Sequence, residues 1–149
     1  MSDATPPAGQ PVSPLTGRCQ CDAVRFRISG RIGAVVYCHC SQCRRANGTA
    51  FAANANVARS AIEFDSGLAS VREYESSPGK FRAFCGHCGS PVYSRTAGDD
   101  ATLRIRLGLL DQDPGRRSLA HCFVASKAAW FEIADALPQF PQGPPARQP

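Results

Sequence analysis

Seven of the eight cysteines in this chain fall into three tight groups, Cys19-x-Cys21, Cys38-x-Cys40-x-x-Cys43 and Cys85-x-x-Cys88, and only Cys122 stands apart. Thiolate sulfur is a soft ligand, and cysteines at such spacings present several sulfurs to one ion from a single turn. Zinc bound by cysteine is tetrahedral. A structural site closes with four protein ligands, whereas a catalytic site holds three and leaves one position for water or substrate. Seven ligands divide as four plus three, which predicts two zinc ions per chain. Cys19, Cys21, Cys85 and Cys88 make the structural site, clipping the start of the chain to a segment far downstream, where closing a long loop stabilises most. Cys38, Cys40 and Cys43 are left as a second, catalytic-type site. Three thiolates on one zinc carry a net negative charge and leave a position that suits an exchangeable ligand such as a substrate thiol.

Other readings fit the count. His39, His87, His121 or Cys122 could supply a fourth ligand to the second site; both zincs would then be structural and the protein a non-catalytic scaffold or interaction module. A regrouping that moves Cys43 into the first site, or sites that share ligands, also satisfies the number. His87, between two ligands, reads as a turn residue. Cys122 reads as a small buried hydrophobe in a strand. Strand alternation sets His121 on the opposite face from Cys122, so one of the two points away from the core and His121 is a candidate to line a site. Arg44 and Arg45 follow Cys43 directly; two cations there would offset an anionic metal centre and are candidates for holding a substrate carboxylate. No histidine or carboxylate is placed as a general base.

The bulk properties narrow the classes. A chain of 149 residues, 43% apolar, is the size of one ordinary domain with a real core. No apolar run approaches the roughly 20 residues that span a bilayer. The opening residues show no basic stretch followed by an apolar one, so neither export nor organelle import is expected and the protein is placed in the cytoplasm, where thiols serve as metal ligands rather than disulfides. The net charge of +5 comes from scattered arginines with no long basic run, and the short proline-rich ends offer no basic extension. Nucleic acid is therefore not the expected partner.

Residues 1–14 read as a disordered lead-in, 15–140 as the zinc-binding domain and 141–149 as a proline-rich tail. Within the domain the pattern is mostly period two, the mark of half-buried strands. Val24, Phe26 and Ile28 alternate with Arg25 and Arg27. Val35 to Tyr37 is a short strand running into the central cysteines, and SQCRRANG is one or two helical turns stopped by Asn47-Gly48. Short strands follow at Phe51–Val57, Ile62–Phe64, Val71–Tyr74, Phe81–Phe84, Val92–Tyr93 and Leu103–Leu109. A short helix is expected over Ala128–Leu137, closed by Pro138. The fold class is all-β with few short helices.

The segments TGRCQCDAVRF, YCHCSQCRRANGTAF, FCGHCGSPVY and HCFVASKAAWFEIADALPQF, in this order, resemble the glutathione-dependent formaldehyde-activating enzyme family, which also includes centromere protein V. The likeness covers the chain from Thr16 to about Phe140. It implies a β-tent fold, a structural zinc on Cys19, Cys21, Cys85 and Cys88, and a more labile zinc on Cys38, Cys40 and Cys43. It also implies a carbon–sulfur lyase activity in which a small thiol such as glutathione is added to an aldehyde. Family members commonly carry glycine where this chain has Asp22; aspartate tolerates the left-handed conformation that such a turn uses.

Overall fold

The computed structural model describes residues 14–143; the lead-in and the proline-rich tail expected at the two ends lie almost wholly outside the described residues. In chain order the strands are β1 (Leu15–Arg18), β2 (Arg25–Ile28), β3 (Val35–Cys38), β4 (Ala52–Ala58), β5 (Ile62–Ser66), β6 (Val71–Ser77), β7 (Lys80–Cys85), β8 (Pro91–Thr96), β9 (Thr102–Arg106), β10 (Ser118–Cys122) and β11 (Gln139–Phe140). One α-helix, α1 (Ser41–Asn47), lies between β3 and β4. A three-stranded sheet runs β1-β2-β5 and an eight-stranded sheet runs β11-β10-β3-β4-β9-β8-β7-β6. The all-β expectation holds.

The two sheets share one core. Leu15, Phe26 and Ile28 from the small sheet meet Val35, Ala55, Val57, Leu103 and Ile105 from the large one, all essentially buried. Phe64 links them, its ring 6.0 Å from Phe26 and 6.2 Å from Tyr93. Withdrawing each of the larger of these side chains from water stabilises the fold by about 1.5–3 kcal/mol. Gly17 in β1 is part of this fit: a Cβ there would sit 2.3 Å from the Phe26 ring, so only a residue without a side chain lets β1 lie over Phe26.

Alternation then gives the large sheet a second, polar face. Ala55 and Val57 point to the core, so Asn54 and Asn56 point away; Leu103 and Ile105 point to the core, so Arg104 and Arg106 point away. The register lines these up in rows. Arg82 pairs with Ser94, Ser94 with Arg104 and Arg104 with Asn56. Val36 pairs with Asn54 and Asn54 with Arg106 in the neighbouring row. Cys38 ends β3 on this face, beside Cys122 of the parallel strand β10.

Two expectations are corrected. The stretch Leu103–Leu109 is a strand only to Arg106 and then tightens into a single 3-10 turn, Leu107–Leu109. Ala128–Leu137 is not helical: a 3-10 turn at Val124–Ser126 is followed by irregular chain. Tertiary contacts win over local propensity there. Phe131 turns inward, its ring 6.0 Å from His39 and 5.6 Å from Phe51, and Asp135 reaches His121. Lys127 donates its ammonium to the carbonyls of Ala128 and Phe131, groups that a helix would have used.

Candidate metal centres

The first cluster joins two turns that are remote in sequence. Cys19 and Cys21 flank the turn between β1 and β2, which is closed by Cys19 N–H donating to the Val24 carbonyl at 3.0 Å. Asp22 completes that turn at φ 66°, in the left-handed region the sequence called for, and its carboxylate pairs with Arg18 and Arg25. Cys85 and Cys88 flank the β7–β8 turn, where Gly89 N–H donates to the Cys85 carbonyl at 2.8 Å. The turns are tied together by Gln20 N–H donating to Ser90 Oγ at 3.0 Å.

All four sulfurs lie within 4.8 Å of one another. Cys19 and Cys21 Sγ are 3.6 Å apart, and Cys21 and Cys85 Sγ 3.8 Å. A tetrahedron with metal–sulfur bonds of ~2.3 Å has edges of about 3.8 Å, so the donor set fits a thiolate-bound zinc. The Ser90 hydroxyl and backbone hydrogen-bond to Cys88 and draw its thiol down to about 5.

The second cluster is built at the junction of β3 and α1. Cys38 ends the strand, and Cys40 is the N-cap of the helix, its sulfur accepting from Cys43 N–H at 3.3 Å. The cap therefore fixes one would-be ligand by the bond that starts the helix. At the other end Gly48, at φ 63°, closes the helix by donating its N–H to the Arg44 carbonyl. The three sulfurs of Cys38, Cys40 and Cys43 again lie within 4.8 Å of one another, and among the described residues no fourth ligand atom joins them. This arrangement could hold an ion with one side uncovered. Hydrogen bonds from Cys38 and Cys40 draw the Cys43 thiol well below its ordinary value, helped by the Arg82 guanidinium, whose Nη1 is 3.7 Å from its sulfur.

Two of the three cysteines, Cys38 and Cys43, line a cavity of about 260 Å³. Arg82, Arg104, Lys80 and Asn54 are also among its lining residues. A larger, mostly apolar depression of about 420 Å³, bordered by Phe51, Pro91 and Leu109, contains none of the cysteines; the smaller cavity is the one joined to the sulfur cluster. Arg106, which lines the larger depression, is 5% exposed, with Nη1 donating to Asn54 Oδ1 at 2.6 Å and its Nε unpartnered. Burial lowers its guanidinium to about 10.

The candidates for closing the second site are placed elsewhere. His39, fully buried between two of the cysteines, is hydrogen-bonded through Nε2 to His121 Nδ1 at 2.7 Å. His121 in turn meets Asp135 through Nε2 at 3.0 Å. His87 is hydrogen-bonded to Ser70 Oγ at 3.0 Å, beside the first cluster. Cys122 lines the cavity but is not within the sulfur group. His121 and Cys122 do take opposite faces of β10, yet both are buried. The irregular chain carrying Phe131 and Asp135 covers the His121 side. Arg44 and Arg45 are not among the cavity's lining residues: Arg45 is exposed, and Arg44 has its Nε buried without a partner. The cations lining the cavity are instead Lys80, Arg82 and Arg104, from strands far along the sequence, which adjacency to Cys43 could not reveal. Their sequence signal was the polar position of each strand's alternation.

Comparison with known proteins agrees with this architecture. The family model for glutathione-dependent formaldehyde-activating enzymes matches residues 14–126. The chain belongs to that family. All seven clustered cysteines of this family member fall inside the matched segment. A crystal structure of a Rhodobacter sphaeroides protein, determined as a structural-genomics target, is similar in fold, with a TM-score of 0.56 at 21% identity over 66% of this chain and 89% of that one. None of the curated proteins compared with the chain matches it.

Proposed function

We infer that this chain adds a small thiol such as glutathione to an aldehyde, and runs the reverse carbon–sulfur lyase reaction, at Cys38, Cys40 and Cys43, with a structural zinc on Cys19, Cys21, Cys85 and Cys88. The observation that carries this reading is a group of three sulfurs within 4.8 Å, two of which line a cavity large enough for a small molecule. A zinc held by the three would favour the thiolate form of a thiol that reached its open side. The chain's own residues account for the rest. Arg82 beside Cys43 offsets accumulating negative charge. The walls keep thiol and carbonyl together and limit the water between them, which converts a chance encounter into a near-unimolecular step. Sulfur adds to the carbonyl carbon, the thiol proton ends on the carbonyl oxygen, and Asn54 and Ser94 offer polar groups to the new hydroxyl. No membrane-crossing helix is present among the described residues, and we place the work in the cytoplasm.

The test is zinc per chain in protein purified without chelator, with the metal's sulfur coordination followed by X-ray absorption as glutathione and other thiols are added. Two zincs and one added sulfur are expected. Coordination that never responds to thiol would leave two closed scaffolding sites and remove the enzymatic reading.

A further inference from the structure

The residue directly after β10 has a backbone that its side chain does not favour. Phe123 sits at φ 58° and ψ 38°, in the left-handed region. Among the described residues the other non-glycine at positive φ is Asp22, whose short polar side chain suits that conformation as a bulky aromatic does not. Such a backbone persists only where surrounding contacts over-determine it. Here they are hydrogen bonds on both sides of the residue. Phe123 N–H donates to the Gln142 carbonyl at 2.9 Å, and the Phe123 carbonyl accepts from Ser126 N–H and Ser126 Oγ, each at 3.1 Å. Glycine would make the same bonds without strain. The backbone therefore gives no reason for a ring at this position; the reason lies in what the ring touches.

Phe123 packs, half-buried, against the apolar cluster of Cys38, Cys43 and Ala52, against which Cys40 packs as well. It also lines the cavity that Cys38 and Cys43 line, and is the largest apolar side chain there. Gly143 stands at the far end of the ring: a Cβ built on that glycine would lie 3.7 Å from the Phe123 Cζ. With its backbone pinned and its tip against Gly143, the ring has little room to swing aside.

We propose that Phe123 is a specificity-determining residue, whose ring limits the width of the group that can approach the sulfurs of Cys38, Cys40 and Cys43. This rests on the second cluster being the thiol-binding reaction centre. A molecule that is slender next to its reacting atom passes the ring, and one branched at the adjoining carbon collides with it. Because backbone hydrogen bonds hold the ring in place, a small shift does not relieve the collision. Removing the ring leaves an apolar space beside the sulfurs, into which a branched group fits.

The experiment measures binding to the full-length, zinc-loaded protein by calorimetry with two thiols that differ in width, ethanethiol and tert-butyl mercaptan, and with the matching aldehydes, acetaldehyde and pivalaldehyde. X-ray absorption reports whether sulfur joins the metal. The slender thiol is expected to bind the parent about a hundredfold tighter than the branched one, within the range that a single misplaced methylene commands. In Phe123→Gly, which keeps the backbone conformation, that ratio should fall below about tenfold through tighter binding of the branched thiol. Phe123→Leu preserves apolar packing if the glycine variant does not fold, and should give an intermediate ratio. A ring with a packing role alone would change zinc content or melting temperature and weaken both thiols alike. An unchanged ratio in a folded variant, or no width preference in either pair for the parent, overturns the proposal. The aldehydes separate this inference from the reading it rests on. An aldehyde ratio that depends on residue 123, with no thiol ever adding sulfur to the metal, keeps the width limit and removes the thiol chemistry. Added sulfur with no dependence on residue 123 does the reverse.

Discussion

Replacing Cys88 by serine takes one ligand from the first cluster at an exposed position, so the effect is not confounded by a core cavity. Its size follows from the loop being closed. Cys21 and Cys85, which share the cluster, are 64 residues apart. Tying a loop of that length restricts the unfolded chain by about 4 kcal/mol on the loop-entropy scale, a large share of the roughly 5–15 kcal/mol that holds a domain of this kind together. At about 3–5 °C per kcal/mol, loss of the clip should lower the melting temperature by about 10–20 °C. Scanning calorimetry alongside zinc counting reads both quantities. The expected variant holds one zinc in place of two and melts far below the parent. A Cys88→Ser protein that has lost its zinc yet melts within about 3 °C of the parent would refute the claim that this cluster fastens the fold.

Cys40→Ser should behave oppositely, losing the second zinc and all turnover while melting within about 5 °C of the parent, because its three-ligand group closes no long loop; an unchanged rate would contradict the assignment of the reaction centre. Asp135 is held below the usual carboxylate range, first by the Leu137 N–H and then by His121. The stability it gives is therefore present above its unfolded value and is lost as pH falls through its lower folded value. Asp135→Asn should lower the melting temperature at neutral pH and flatten its decline in acid, as followed by circular dichroism across that range; parallel curves for the two proteins would exclude the contact as a contributor. Gly17→Ala forces a methyl against the Phe26 ring and should cost about 1–3 kcal/mol in urea unfolding; a neutral result would mean that β1 can lift off the core.

The strands were legible where alternation was sharp. Phe26 and Ile28 against Arg25 and Arg27 identify β2 directly. The cysteine grouping was legible too, because four-plus-three follows from counting and turn spacing. What could not be read was anything that depends on sheet register. Lys80, Arg82 and Arg104 meet only after β7, β8 and β9 pair, whereas Arg44 and Arg45, adjacent to Cys43 in the chain, lie outside the cavity that Cys43 faces because successive helix positions are rotated by about 100°. Ala128–Leu137 reads as helix from its composition; the pull of buried His39 and His121 and half-buried Phe51 on Phe131 and Asp135 is a tertiary effect with no periodic trace.

The two sulfur groups differ in how far apart their members lie along the chain. Cys38, Cys40 and Cys43 span six consecutive positions, so a nascent polypeptide can grasp an ion there before any sheet exists. Cys19, Cys21, Cys85 and Cys88 come together only when the hairpins that carry them have docked. A ligand that binds the folded and unfolded chain alike contributes little to folding, whereas one that requires the folded arrangement contributes fully. One ion would thus act as a rivet. The other would be free to leave without unfolding the protein, so that the supply of zinc in the cell could set the fraction of molecules ready to react while their number stayed constant.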